Sequence, residues 1–146
     1  MAAIPQITQG GPKTFTPNEV VLGGQLVETI DNGRVKPAAA GSFRVVGVAL
    51  TDGQSPETAQ GGTTYDSIGR PIINAMPIPT AVSVAYGGTE TRVTYSAAAK
   101  CGEKLVATAA GTVGPAGATP DARTIVGICT QPGGVAAAGV GLIRIA

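Results

Sequence analysis

The sequence predicts an all-β protein: a small β-sandwich or barrel-like domain built from a duplicated hairpin-plus-long-strand unit, with an extended N-terminal arm. Three observations carry this expectation. The 22 glycines and 11 prolines among 146 residues punctuate the chain every few positions, and Val, Ile and Thr fill the gaps. No window long enough for a globular helix keeps an apolar period of 3.6 residues, whereas many short runs bounded by turn residues suit a sandwich or barrel. Finally, the stretch from Gly24 to Thr51 returns in looser form as Gly102 to Thr130.

Taken in order, residues 1–16 read as an arm. They are polar, contain glycine and are broken by Pro5 and Pro12. Ile4 and Ile7 are isolated apolar residues on it, and Thr14-Phe15-Thr16 is a short strand candidate ended by Pro17. Residues 17–146 form a single β-rich domain. It divides into unit one (20–51), an excursion (52–80), a hairpin (81–96), unit two (101–130) and a C-terminal strand (140–145).

In unit one a short strand enters the turn Asn32-Gly33, and Phe43 to Leu50 closes the unit. Asn and Gly tolerate positive φ, so the pair predicts a two-residue type I′ loop. That loop sets Asp31 against Arg34 and Ile30 against Val35, two favourable cross-strand pairs. The run from Arg44 to Leu50 is nearly all apolar, as in a strand covered on both faces.

The repeat is legible residue by residue. Leu26-Val27 matches Leu105-Val106; Gly33-x-Val35-x-Pro37-Ala38 matches Gly111-x-Val113-x-Pro115-Ala116; Val45 to Val48 matches Ile125 to Ile128. Two copies are too few for a solenoid, so internal duplication is the reading. Ala110 stands where unit one has Asn32, which predicts a looser second turn.

Within the excursion, Ser55-Pro56-Glu57 predicts a helical turn with Ser as cap and Pro at the first position. Thr64-Tyr65-Asp66 and Ile72-Ile73 suggest a satellite hairpin. A loop of this length suits either a solvated excursion or a partner contact. Ala81 to Tyr86 and Thr91 to Tyr95 predict a hairpin across Gly87-Gly88-Thr89-Glu90. Val140 to Ile145 predicts a terminal strand that ties down the chain end.

Composition narrows the function. Apolar residues make up 43% of the chain but aromatics only 3%, so small side chains must fill the core. Charged residues are 13%, which leaves a surface of Thr, Ser, Gln, Gly and Ala suited to burial against partners. The net charge of +1 gives no basic field for nucleic acid. There is no signal-peptide pattern and no membrane-length apolar run. Cys129 reads as a small buried hydrophobe, and Cys101 as exposed. Spacing leaves a bridge between them open.

Chemistry is poorly represented. The chain has no His, which removes His-based nucleophilic triads and His-ligated zinc. It carries no phosphate-cradling glycine motif. Glu28/Asp31, Asp52/Glu57 and Glu90/Glu103 lack calcium-loop spacing and read as a solvated β-surface. Asp66 and Asp121 read as turn residues. The expectation is a non-enzyme with no catalytic, cofactor-binding or metal residues.

The repeated pattern carries a resemblance. Gly24-Gln25-Leu26-Val27, Gly33 to Gly41 and Val45 to Asp52, echoed by Gly102 to Val106, Gly111 to Ala118 and Ile125 to Ile128, resemble the head decoration (capsid cement) proteins of tailed bacteriophages. The resemblance implies a structural virion protein, made in the host cytoplasm, on the outer surface of the capsid. There it would bridge subunits of the major capsid protein, its partner, as a homo-oligomer with a trimer favoured. In that setting the arm lies on a shell subunit, with Ile4, Ile7, Thr14, Phe15 and Thr16 as contact residues and strand addition through Thr14 to Thr16. Several weak arms on one oligomer bind tightly together. No nucleic acid, membrane or cofactor is expected. Two other classes stay open: a tail- or baseplate-associated β-module with a binding role, and an enzyme with an unrecognised carboxylate site.

Overall fold

The valine-rich runs form the strands that their pattern predicts, and the computed structural model arranges them as two copies of one five-stranded unit. The structure describes residues 11–60, 64–65, 67–72 and 78–146. Unit one holds β1 (Lys13–Phe15), β2 (Leu26–Thr29), β3 (Val35–Pro37), β4 (Val45–Ala49) and β7 (Val82–Ala85), in the antiparallel order β1-β7-β4-β2-β3. Unit two holds β8 (Glu90–Thr94), β9 (Lys104–Ala107), β10 (Val113–Pro115), β11 (Ile125–Cys129) and β12 (Val140–Ile145), in the order β8-β12-β11-β9-β10. The two orders are identical when β1 is set on β8, β2 on β9, β3 on β10, β4 on β11 and β7 on β12.

Irregular features repeat as well. One parallel bridge joins Pro17 to Val35 in unit one and Tyr95 to Val113 in unit two. One antiparallel bridge joins Val21 to Gly53, and Ala99 to Val135. Each unit also carries a β-bulge where its second strand meets its fourth. The sheets therefore curl, but a single bridge is not a ladder, and neither closes into a barrel. The duplication extends beyond the hairpin-plus-strand unit read from sequence: it takes in β1, β7, β8 and β12.

The ladder corrects one detail of the repeat. Val27 pairs with Pro37, and Leu105 with Pro115, so Val27 corresponds to Leu105 and Leu26 to Lys104. The match of Leu26-Val27 to Leu105-Val106 is one residue out.

The predicted hairpin 81–96 does not form. β7 pairs with β1 and β4, while β8 pairs with β12. Residues 86–89 instead link the two units, held by Gly88 N–H to Ile145 O (2.8 Å) and Ile145 N–H to Thr89 O (3.0 Å). Each run finds more apolar partners in its own unit than the other run offers. The first turn is also different. Gly33 is left-handed at φ 76°, but Asn32 is not. Ile30 N–H donates to Arg34 O (3.0 Å), so Asp31–Gly33 is a three-residue loop ending in a glycine bulge. Thr29 faces Val35. The expected Asp31–Arg34 pair is replaced: Asp31 pairs with Arg44 and Arg34 with Glu57, each at 2.7 Å. In unit two the same turn is a short 3-10 segment with Ala110 left-handed at φ 56°.

The excursion forms α1 (Pro56–Gln60), capped by Ser55 Oγ accepting from Thr58 N–H, and the two-stranded hairpin of β5 (Thr64–Tyr65) and β6 (Pro71–Ile72). Both elements follow the sequence reading. Cys101 and Cys129 are free, one exposed and one buried.

The interior of unit one is Val21, Val27, Val35, Ala49, Val82 and Val84. The interior of unit two, including Tyr95, Leu105, Val113 and Ile143, runs on into Leu26, Val48 and Ala85 from the outer side of unit one as one cluster. β4 is therefore covered on both faces, through Ala49 and Val48. Backbone bonds fix this joint: Thr94 N–H to Gly24 O (3.1 Å), Gly41 N–H to Ala107 O (2.9 Å) and Gly111 N–H to Ala38 O (2.9 Å).

Candidate functional site

Of the five arm residues singled out in the sequence, Ile4 and Ile7 lie outside the described residues. Thr14 and Phe15 lie in β1, in register with Ser83 and Val82 of β7. Thr16 follows the strand, and its carbonyl accepts from Val35 N–H at 3.1 Å. Among the described residues β1 is the edge strand of its sheet, and beyond β7 the segment meets only the single Pro17–Val35 bridge. Thr14 and Thr16 are exposed, and Phe15 is half-buried against the interior of unit one.

Beside β1 opens a cavity of about 560 Å³. Among the described residues it is lined by Gly11, Pro12, Lys13, Phe15, Val46, Tyr86 and Gly87. The Lys13 ammonium lies 5.4 Å from the centre of the Phe15 ring, within cation–π range. Among the described residues the lining is thus aromatic and aliphatic with one cation, Lys13. Sequence reasoning found Phe15 but missed Val46 and Tyr86, because β4 and the end of β7 reach this place only through the sheet order.

Among the described residues the carboxylates are held in separate loop contacts. Glu28 is buried and held by Lys36 Nζ at 3.3 Å and Ala39 N–H at 3.1 Å. Burial pushes its pKa up, but Ser42, Ala39 and Lys36 together hold it below the ordinary glutamate value. Glu57 takes a two-pronged contact from Arg34 at 2.7 and 2.9 Å, which holds its pKa at about 2. Asp121 accepts from Arg123 N–H and its guanidinium, which lower its pKa. These pairs tie loops to strands: Glu28 joins β2 to the 38–42 loop, and Glu57 joins α1 to the first hairpin. Among the described residues no group of three His, Cys, Asp or Glu could hold a metal ion. No helix there is long and apolar enough to cross a membrane.

No protein-family model matches the sequence, and no curated protein matches it. Solved structures do match the fold. The chain is similar in fold to a phage head-fiber base. That structure, the N base of head fiber gp8.5 of bacteriophage phi29, is 17% identical, and the likeness covers 94% of this chain and 95% of that one at a TM-score of 0.59. A C-terminal fragment of phi29 gene product 12 is also 17% identical, over 92% of this chain and 99% of the fragment, at 0.54. The pre-mature phi29 gene product 12 is 18% identical over 99% of this chain at 0.56, but this chain spans only 23% of its length. At these identities the likeness establishes the fold.

Proposed function

We propose that this chain is a structural component of a tailed-phage virion that sits on the outer surface of the head, bridges subunits of the major capsid protein and stabilises the shell. The observation that carries this reading is the full-length likeness in fold to a phage head-fiber base. The repeated motifs and the lightly charged surface of small residues support it, since such a surface suits burial against a partner. The ion pairs support a non-enzymatic role, because each carboxylate described above is spent on holding a loop.

In this reading the arm and β1 face the shell. A shell strand adds at the edge that β1 forms among the described residues, and Ile4, Ile7 and Phe15 supply apolar anchors. A homo-oligomer, most simply a trimer, presents several arms at once, so weak single contacts add up. The test is to mix the purified chain with expanded heads lacking it and sediment the particles. Saturable co-sedimentation of the full chain, lost on removing residues 1–12, is the expected result. Retained binding by the truncated chain contradicts the arm's role, and no binding by the full chain contradicts decoration.

A further inference from the structure

The joint between the units works as a plug in a socket. The plug is one row across the outer face of unit one, Leu26–Val48–Ala85, in direct register and almost wholly buried. The socket belongs to unit two: Val93, Val126 and Ile145 are buried in the same cluster as that row. The register that equates the units puts Phe15 on Val93 and Val46 on Val126, and carries Tyr86 onto Ile145. Phe15, Val46 and Tyr86 are the apolar wall of the 560 Å³ cavity. Unit one therefore has the same socket, and there its three wall residues are only partly buried. Thr16 and Thr29 are the counterparts of Thr94 and Ala107, through which unit two makes backbone bonds to Gly24 and Gly41 of unit one.

A second copy of this chain is a poor occupant. The row of unit two equivalent to the plug is Lys104–Ile128–Arg144, again in direct register. Both charged residues are exposed. Driving two unpaired cations into an aliphatic socket is strongly unfavourable. Such charges would oppose head-to-tail stacking of copies, as polar outer faces do in terminal repeats.

We propose that the cavity of unit one is an open socket for an uncharged aliphatic strand row on a shell subunit, gripped as unit two grips Leu26, Val48 and Ala85. The identity of the partner rests on the decoration reading; the socket does not. Two experiments on the full chain separate them. The first uses Lys104→Leu/Arg144→Ala, which rebuilds a plug on unit two. Sedimentation velocity should show head-to-tail association at least tenfold tighter than wild type, and adding Tyr86→Lys should reverse it while the thermal midpoint stays put. A double variant that associates no more than wild type overturns the socket. The second places a photo-crosslinking amino acid at position 86 and adds expanded heads. Crosslinks to a shell peptide support the partner. Crosslinks to residues 1–10 of the chain, or to another copy, overturn it. Head-to-tail association of the double variant without any head binding by wild type overturns decoration and leaves the socket standing.

Discussion

Gly24 and Gly102 occupy the same place in the two units. Each has φ of 87°, and each donates its N–H at 2.8 Å to the carbonyl that ends the fourth strand of its unit, Ala49 in one and Cys129 in the other. The residue after each closes the turn with its side chain: Gln25 Oε1 accepts from Leu22 N–H and Glu103 Oε2 from Lys100 N–H. One turn design is therefore used twice with different chemistry.

Glycine substitutions separate turn strain from joint packing. Gly102→Ala has open space for its Cβ, so it meets only the cost of a left-handed alanine, about 1–2 kcal/mol. Gly111→Ala has the same problem at φ 71°, and its Cβ would lie 2.6 Å from Leu26 O across the joint. Overpacking adds about 1–3 kcal/mol there. Urea unfolding should rank Gly111→Ala clearly below Gly102→Ala; equal losses would contradict the joint.

Tyr95 is fully buried, and its hydroxyl donates to Leu142 O at 2.8 Å. Burial, with Cys129 nearby, raises its pKa well above the ordinary tyrosine value, so it stays neutral. Tyr95→Phe should cost about 1 kcal/mol, the net worth of one hydrogen bond. Tyr95→Ala should cost about 3–5 kcal/mol through the cavity it leaves. Denaturant midpoints check both values.

Acid should weaken the fold through Glu28 and Glu57. Both have pKa values lowered in the folded state, Glu57 to about 2. A lowered folded pKa means stability that is complete above the ordinary value of 4.5 and is lost as pH falls towards the folded one. Stability should therefore decline from about pH 5 to pH 2, and Glu57→Gln should flatten that decline. Glu28→Gln should also cost about 1–3 kcal/mol at pH 7, since it weakens a charged bond to Ala39 N–H and unpairs Lys36.

Truncation must respect β1. Removing residues 1–12 leaves Lys13–Phe15 paired with β7 and should leave the thermal midpoint unchanged. Removing residues 1–16 takes away β1 and the Thr16 carbonyl that Val35 uses, and should lower the midpoint measurably. Equal midpoints for the two truncations would show that β1 adds nothing to the body.

The all-β class, the two copies, the α1 cap and the terminal strand were legible because local signals dictate them: turn glycines, Ser-Pro at a helix start, alternating valines. The missed features are non-local. Val82–Ala85 and Glu90–Thr94 look like hairpin partners in sequence, yet each belongs to a different sheet. Leu26-Val27 over Leu105-Val106 is the better match by letter. The fold sets Leu26 on Lys104 because one faces the joint and the other solvent, and no repeat comparison carries that information. For the same reason Phe15 was found and the rest of its cavity was not.

Counting this chain in purified particles against the major shell protein, by quantitative mass spectrometry, tests decoration most directly. The decoration account predicts copies in a fixed ratio close to that of the shell protein. A handful of copies per particle would contradict it and move the chain to the tail, and complete absence would remove it from the virion.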